Sequence, residues 1–146
     1  MKIVLQRVSE ASVSVKKKQI GAINKGLLLL AGIHKDDERK QVEWLAEKIL
    51  NLRIFNDDEG KMNLSVRAID GEILVIPQFT LYGDYASGNR PGYFKAAGPR
   101  KAEKLYERMI SYFREESDLK IESGSFGAHM DVRLHNDGPV TLVLER

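Results

Sequence analysis

The chain has no cysteine among its 146 residues. Disulfides, thiol nucleophiles and cysteine-ligated zinc are thereby excluded, and the absence fits a reducing, cytoplasmic setting. Long hydrophobic runs are missing too. The longest, Gly26 to Ile33, falls far short of the roughly 18 apolar residues that a membrane span needs. Near the start, Ile3-Val4-Leu5 is cut off by Gln6 and Arg7, too short for the core of a signal peptide. Neither sign of charge dominates: 23 Lys and Arg face 21 Asp and Glu, leaving +2, so a nucleic-acid partner would have to be met by a local basic face. There is no repeat, low-complexity tract or linker to divide the chain. A Walker loop, a dinucleotide fingerprint, the His-Glu-x-x-His of a zinc site and a Gly-x-Ser-x-Gly elbow are all absent. No metal or cofactor is expected.

What is present reads as one globular domain, with 42% hydrophobic and 30% charged residues. Lys2 to Val8 and Ala11 to Val15 read as strands, the second alternating with period two. Lys16-Lys17-Lys18 forms a charged turn before Gln19 to Ile23 returns; such a tip is ordinarily a solvated loop, and otherwise a phosphate contact. Gly26 to Gly32 is a continuous apolar strand covered on both faces. Asp36 or Asp37 is placed to cap a first helix, in which Val42, Leu45, Ala46 and Ile49 recur at helical spacing. Arg53 to Asn56 reads as a short strand ending in a solvated acidic turn. Pro99 opens a second helix, whose stripe of Ala102, Leu105, Tyr106, Met109, Ile110 and Phe113 belongs to the core. Strands at Leu119 to Ile121, Ala128 to Leu134 and a last one ending at Leu144 complete the chain. His129 and His135 lie on the polar face of the second of these. The pair Asp137-Gly138 is a hairpin signal, although Pro139 directly after it points to a special turn. Strands in hairpin-sized groups at both ends, with two principal helices, define an α+β domain with a mixed or mainly antiparallel, barrel-like sheet.

Glu72 to Tyr82 is where chemistry concentrates. Ile73, Leu74, Val75 and Ile76 form a buried strand, which Pro77 should bring to an end because it has no N–H for the ladder. Gln78 and Thr80 follow, either side of Phe79. A threonine is a weak nucleophile without a base, and no neighbouring residue supplies one. The residues therefore point to a site built from backbone N–H groups that orient a substrate and hold an oxyanion. The turn-rich loop from Gly83 to Pro91 beside it is of the kind that carries binding residues.

Gln78-Phe79-Thr80-Leu81 and Asn136-Asp137-Gly138-Pro139-Val140-Thr141 resemble the two signature motifs of the D-aminoacyl-tRNA deacylases, Ser-Gln-Phe-Thr-Leu and Asn-x-Gly-Pro-x-Thr. Further likeness lies in Gln6-Arg7-Val8, Arg90-Pro91, Phe94, Ala96-Ala97 and Gly124 to Ala128 with Met130. Pro77 stands where that family usually has serine. The resemblance implies a cytoplasmic homodimer that hydrolyses the ester of D-aminoacyl-tRNA. Gly138-Pro139 would be a cis bond inserted into the partner subunit's pocket, rejecting an L side chain by clash. Gln78, Phe79 and Thr80 would carry catalysis, with Arg7, Asn136, Thr141 and Met130 in support. Either the Thr80 hydroxyl or the tRNA's own 2′-hydroxyl would assist attack, and the missing base favours the latter. A different class remains open: a dimeric RNA-binding module without catalysis, using Lys16, Lys17, Lys18, Arg90, Arg100, Lys101 and Lys104.

Overall fold

The computed structural model describes residues 1–146 as eight strands and two α-helices: β1 (Lys2–Val15), β2 (Lys18–Ile23), β3 (Gly26–Gly32), α1 (Arg39–Asn51), β4 (Phe55–Asn56), β5 (Met62–Leu64), β6 (Glu72–Pro77), α2 (Pro99–Glu116), β7 (Ile121–Ser123) and β8 (Asp131–Glu145). A 3₁₀ turn, Phe79–Tyr82, follows β6 directly. The main sheet runs β2-β1-β3-β6-β7, with β8 on the other side of β1. β3, β6 and β7 are parallel; the remaining pairings are antiparallel. The sheet curls until its ends approach, the Lys120 ammonium donating to the Ala22 carbonyl at 2.9 Å. The expected mixed, barrel-like α+β architecture is the one observed.

Alternation along the central strands explains why both faces are filled. Leu27, Leu29, Ala31, Ile73 and Val75 point to the helices, where they meet Val42, Leu45, Ile49, Met109 and Phe113. Their neighbours Leu28, Leu74 and Ile76 point the other way and pack with Val8, Ala11, Val13 and Ile23 inside the curl. A continuous apolar run is what a strand covered on both faces requires.

Four local readings are corrected. The two N-terminal strands are one, β1, because β8 pairs with it from Lys2 to Ser14 and carries the ladder across the junction. Neither Asp36 nor Asp37 caps α1. The N-cap is Glu38, whose N–H donates to Gln41 Oε1 at 3.1 Å. Asp37 is instead buried, accepting from the Met1 amine and from the His34 N–H at 2.6 Å each. Of Arg53 to Asn56 only Phe55–Asn56 is strand, paired with β5. Asp137-Gly138 makes no hairpin: it lies inside β8, where a bulge interrupts the ladder.

Candidate active site

The bulge is set by register. Gln6 pairs with Thr141 and Val8 with Asn136, so Asp137, Gly138, Pro139 and Val140 stand opposite Arg7 alone. The surplus chain leaves the plane of the sheet, and Gly138-Pro139 within it is cis. Arg7 holds it. This buried side chain donates from its Nη1 to the Ile54 carbonyl at 2.7 Å. Its Nε reaches the Asp137 carbonyl at 3.3 Å and the Asp137 carboxylate at 2.9 Å. At the base of the bulge Gln6 Nε2 donates to Asn136 Oδ1 at 3.2 Å and to Thr141 Oγ1 at 3.4 Å. Gly138 and Pro139 are exposed. They form a stiff backbone edge presented to solvent.

A second group gathers at the far end of β6. β6 stops at Pro77, as expected, and the next residues wind into the 3₁₀ turn rather than an open loop. The first N–H groups of a helical turn lack internal acceptors. Those of Phe79 and Thr80 have no hydrogen-bond partner in the chain. Gln78 and Phe79 line a cleft of about 630 Å³ together with Pro77, Tyr93, Ala97, Tyr106, Phe126, His129 and Met130. Its lining is largely apolar, with the strand end and the start of α2 as its floor. Thr80 sits at the rim, exposed, its hydroxyl bonded to the Gln78 side-chain amide. An amide is no base. Tyr106 is no base either: burial pushes its hydroxyl well above the ordinary range, so it stays a donor.

Tyr106 also explains how the sheet tolerates Pro77. The Gly124 N–H donates to the Val75 carbonyl at 2.9 Å. In a parallel ladder the Gly124 carbonyl should then accept from the N–H of residue 77, which a proline lacks. The Tyr106 hydroxyl supplies the missing donor, at 3.1 Å from Gly124 O and 2.8 Å from Val75 O. Gly124 must also be small here, since a methyl on it would fall 2.6 Å from the Met130 sulfur.

The candidate residues thus fall into two places. Gln78, Phe79 and Met130 line the cleft, with Thr80 next to them in the chain but not in the lining, while Arg7, Asn136, Gly138, Pro139 and Thr141 form the edge. No residue of the edge lines the chain's own cleft. Of the basic residues, Arg100 and Lys101 open α2, whose Pro99 and Ala102 line the cleft. Lys16 and Lys17 take positive φ at the tip between β1 and β2, Lys18 begins β2, and Arg90 lies in the exposed loop. Sequence reasoning passed over Tyr93, which packs edge-on against Phe79 with centroids 5.0 Å apart. It also treated Tyr106 only as core. No local pattern marks either, because each acts across sequence-distant elements.

Fold and site together define a small α+β protein whose largely apolar cleft is bordered by unpaired backbone N–H groups, with the imidazole of His129 in its lining. A family model described as D-Tyr-tRNA(Tyr) deacylase matches residues 4–145, and the chain belongs to that family. D-aminoacyl-tRNA deacylase from Thermotoga petrophila is 55% identical over 145 residues, covering 99% of this chain and 97% of the relative. The same enzyme from an Exiguobacterium species is 53% identical over 146 residues, covering 100% and 99%. Among solved structures, a c-Myc DNA Unwinding Element Binding Protein superposes with a TM-score of 0.94 at 42% identity, covering 100% of this chain and 99% of that one. A probable eukaryotic D-amino acid tRNA deacylase, 18% identical with a TM-score of 0.83 over 98% and 97% of the chains, shares the fold.

Two outcomes follow from this geometry. Arg7→Ala leaves the Ile54 carbonyl and Asp137 without their donor, and should cost about 2–3 kcal/mol in urea unfolding; amide exchange at Gly138 should accelerate beyond the global change. Tyr106→Phe should cost about 1–3 kcal/mol by stranding the Gly124 carbonyl, since Val75 O keeps the Gly124 N–H. Adding Pro77→Ser returns an N–H to Gly124 O and should recover part of that loss. A double-mutant cycle with no coupling would show that Tyr106 does not stand in for the missing N–H.

Proposed function

We propose that this protein hydrolyses the ester joining a D-amino acid to the 3′ end of tRNA, releasing the free amino acid and tRNA. It would thereby remove wrongly charged D-residues in the cytoplasm, where aminoacyl-tRNA is used. The observation that carries this reading is the exposed Gly138-Pro139 edge, clamped by Arg7 and outside the lining of its own cleft. The names of the relatives agree with it.

Such an edge suits a chiral filter. A backbone wall set against the substrate's α-carbon rejects a Cβ on one side without reading the side chain. Rejection by clash against a backbone that cannot shift is sharper than selection by a hydrophobic pocket. Since the edge lies outside its own cleft, the working form is a homodimer in which each copy completes the other's site. β8 supports this: it is a long edge strand, and Val143 on it is exposed.

The chemistry is ester hydrolysis by water. The Phe79 and Thr80 N–H groups stand ready to hold the carbonyl oxygen as it becomes an oxyanion. Water adds to the carbonyl carbon, the tetrahedral intermediate collapses, and the 3′ oxygen of the terminal ribose leaves with a proton. The Thr80 hydroxyl is bonded to the Gln78 amide and to no base, so the vicinal 2′-hydroxyl of the ribose is the better assistant. Gln78 would orient the turn through its bond to Thr80, with Asn136, Thr141 and Met130 supporting the two halves.

A non-catalytic nucleic-acid-binding module is the second reading. It is favoured by the basic side chains Lys16, Lys17, Lys18, Arg90, Arg100, Lys101 and Lys104 and by the name of the 42% identical relative. Matched D- and L-tyrosyl-tRNA, charged on the same tRNA and given to the purified protein without added metal, separate the two. Release of the D-amino acid alone is expected, with glycyl-tRNA also cleaved because glycine has no Cβ to reject. Salt-dependent tRNA binding without turnover would instead establish the binding module. The role of the turn is tested at one position. Thr80→Ala should keep kcat within about tenfold of the wild type, whereas Thr80→Pro, which removes an oxyanion donor, should lose about 10²–10³-fold. Complete loss in Thr80→Ala would make the hydroxyl the nucleophile.

A further inference from the structure

The loop between the 3₁₀ turn and α2 holds two cations, Arg90 and Lys95, the first turn of α2 adds Arg100 and Lys101, and there is no acidic residue from Tyr85 to Ala102. It also carries the two most exposed aromatic rings of the chain, Phe94 at 88% and Tyr85 at 76%. Exposed rings of this size on a loose segment would mean little. Here the backbone is held. Asp84 and Gly92 exchange two hydrogen bonds of 2.8 Å, the Lys35 N–H donates to Lys95 O at 2.9 Å, and the Ala97 N–H donates to Ile33 O at 2.9 Å. The last two of these bonds form the bridge that pairs His34 with Ala96.

The two rings flank one bridge. Tyr85 follows Asp84, and the Phe94 ring lies over Gly92, so closely that a methyl there would be 2.6 Å from it. The adjacent Tyr93 lines the cleft and touches Phe79. Phe94 is the next residue after this wall of the cleft, and the cations of the segment are unpaired: Arg90, Lys95 and Arg100 have no ion-pair partner, and Lys101 donates only to the Lys35 carbonyl. Held aromatic faces interleaved with free cations are the pattern that binds single-stranded nucleic acid, the rings stacking on bases and the cations meeting phosphates.

We propose that Phe94 and Tyr85, with Arg90, Lys95 and Arg100, form a stacking platform for the unpaired nucleotides that precede the terminal adenosine of the substrate tRNA. The inference rests on the proposed activity at the cleft and extends it: the cleft reads the amino acid, and the platform reads the single strand that carries it. The platform recognises a stacked strand and not a base sequence, so it serves every tRNA alike.

The test compares two substrates, D-tyrosyl-tRNA and a D-tyrosyl ester of adenosine alone. Phe94→Ala should lower the ratio of kcat/KM for the tRNA to that for the adenosine ester by about 5- to 150-fold, the range of one lost base stack. Phe94→Trp should restore it. Gly92→Ala, which displaces the ring without removing it, should lower the ratio in the same direction. An unchanged ratio in Phe94→Ala and Gly92→Ala would overturn the platform, as would a fall equal on both substrates. If the wild type cleaves neither ester, the activity fails, and the platform is judged by binding of a short single-stranded RNA ending in CCA. Weaker binding by Phe94→Ala supports it, and unchanged binding overturns it. A change of oligomeric state on light scattering with RNA binding intact would assign Phe94 to a contact between copies and also overturn it.

Discussion

The site depends on how β1 is shared. One strand pairs along its whole length with β8 and, on its other side, first with β3 and then with β2. A strand engaged on both sides cannot shift its register without turning its apolar set out of the core. The surplus residues between Asn136 and Thr141 therefore have only one way to go, out of the sheet. Arg7, opposite them, is buried because the bulge covers it. Its guanidinium donates through Nε and Nη1 to the Ile54 and Asp137 carbonyls and the Asp137 carboxylate, as a buried cation requires. One register constraint thus yields both a stiff backbone edge and the side chain that stiffens it.

Much of this was legible in the sequence, for reasons that differ by element. The runs Gly26 to Gly32 and Ile73 to Ile76 could only be strands covered on both faces, and they are. The stripe from Ala102 to Phe113 could only be a helix against the core. The failures share a cause. Asp37 had the chemistry of a cap and was taken by the Met1 amine and the His34 N–H, contacts that no local pattern encodes. Asp137-Gly138 had the chemistry of a hairpin turn. The pairing of β8 with β1 on both sides of it decided otherwise, and the surplus was absorbed as a bulge around a cis proline. Tertiary pairing overrode turn chemistry where the partner strand was already fixed.

The candidate site was legible as two motifs, and their assignment to two places came from the resemblance and not from the residues themselves. Gln78-Phe79-Thr80 suggested backbone catalysis because hydroxyl and amide lacked a base, and the 3₁₀ turn gives that reading its physical form in two unpaired N–H groups. The resemblance implied that Gly138-Pro139 serves a partner's pocket, and the edge is absent from the lining of its own chain's cleft. That separation makes the dimer a chemical requirement of the proposed activity: an isolated copy would hold an ester without the wall that distinguishes its hand.

Pro77 is the point at which the chain departs from the usual motif of its family. A serine there would offer the ladder an N–H, and proline removes it beside a buried carbonyl. Left alone, that carbonyl would cost about 1–3 kcal/mol at the floor of the cleft. The Tyr106 hydroxyl reaches across from α2 to the Gly124 carbonyl. The same contact ties α2 to the ends of β6 and β7, and these elements carry Pro77, Tyr106 and Pro99 into the lining. The departure therefore leaves the turn after β6 intact: Gln78 N–H still reaches Ala31 O at 2.8 Å, and Phe79 and Thr80 keep their free N–H groups. What proline changes is the fixed φ at the entry to the turn, which stiffens the segment whose two N–H groups the proposed hydrolysis would use.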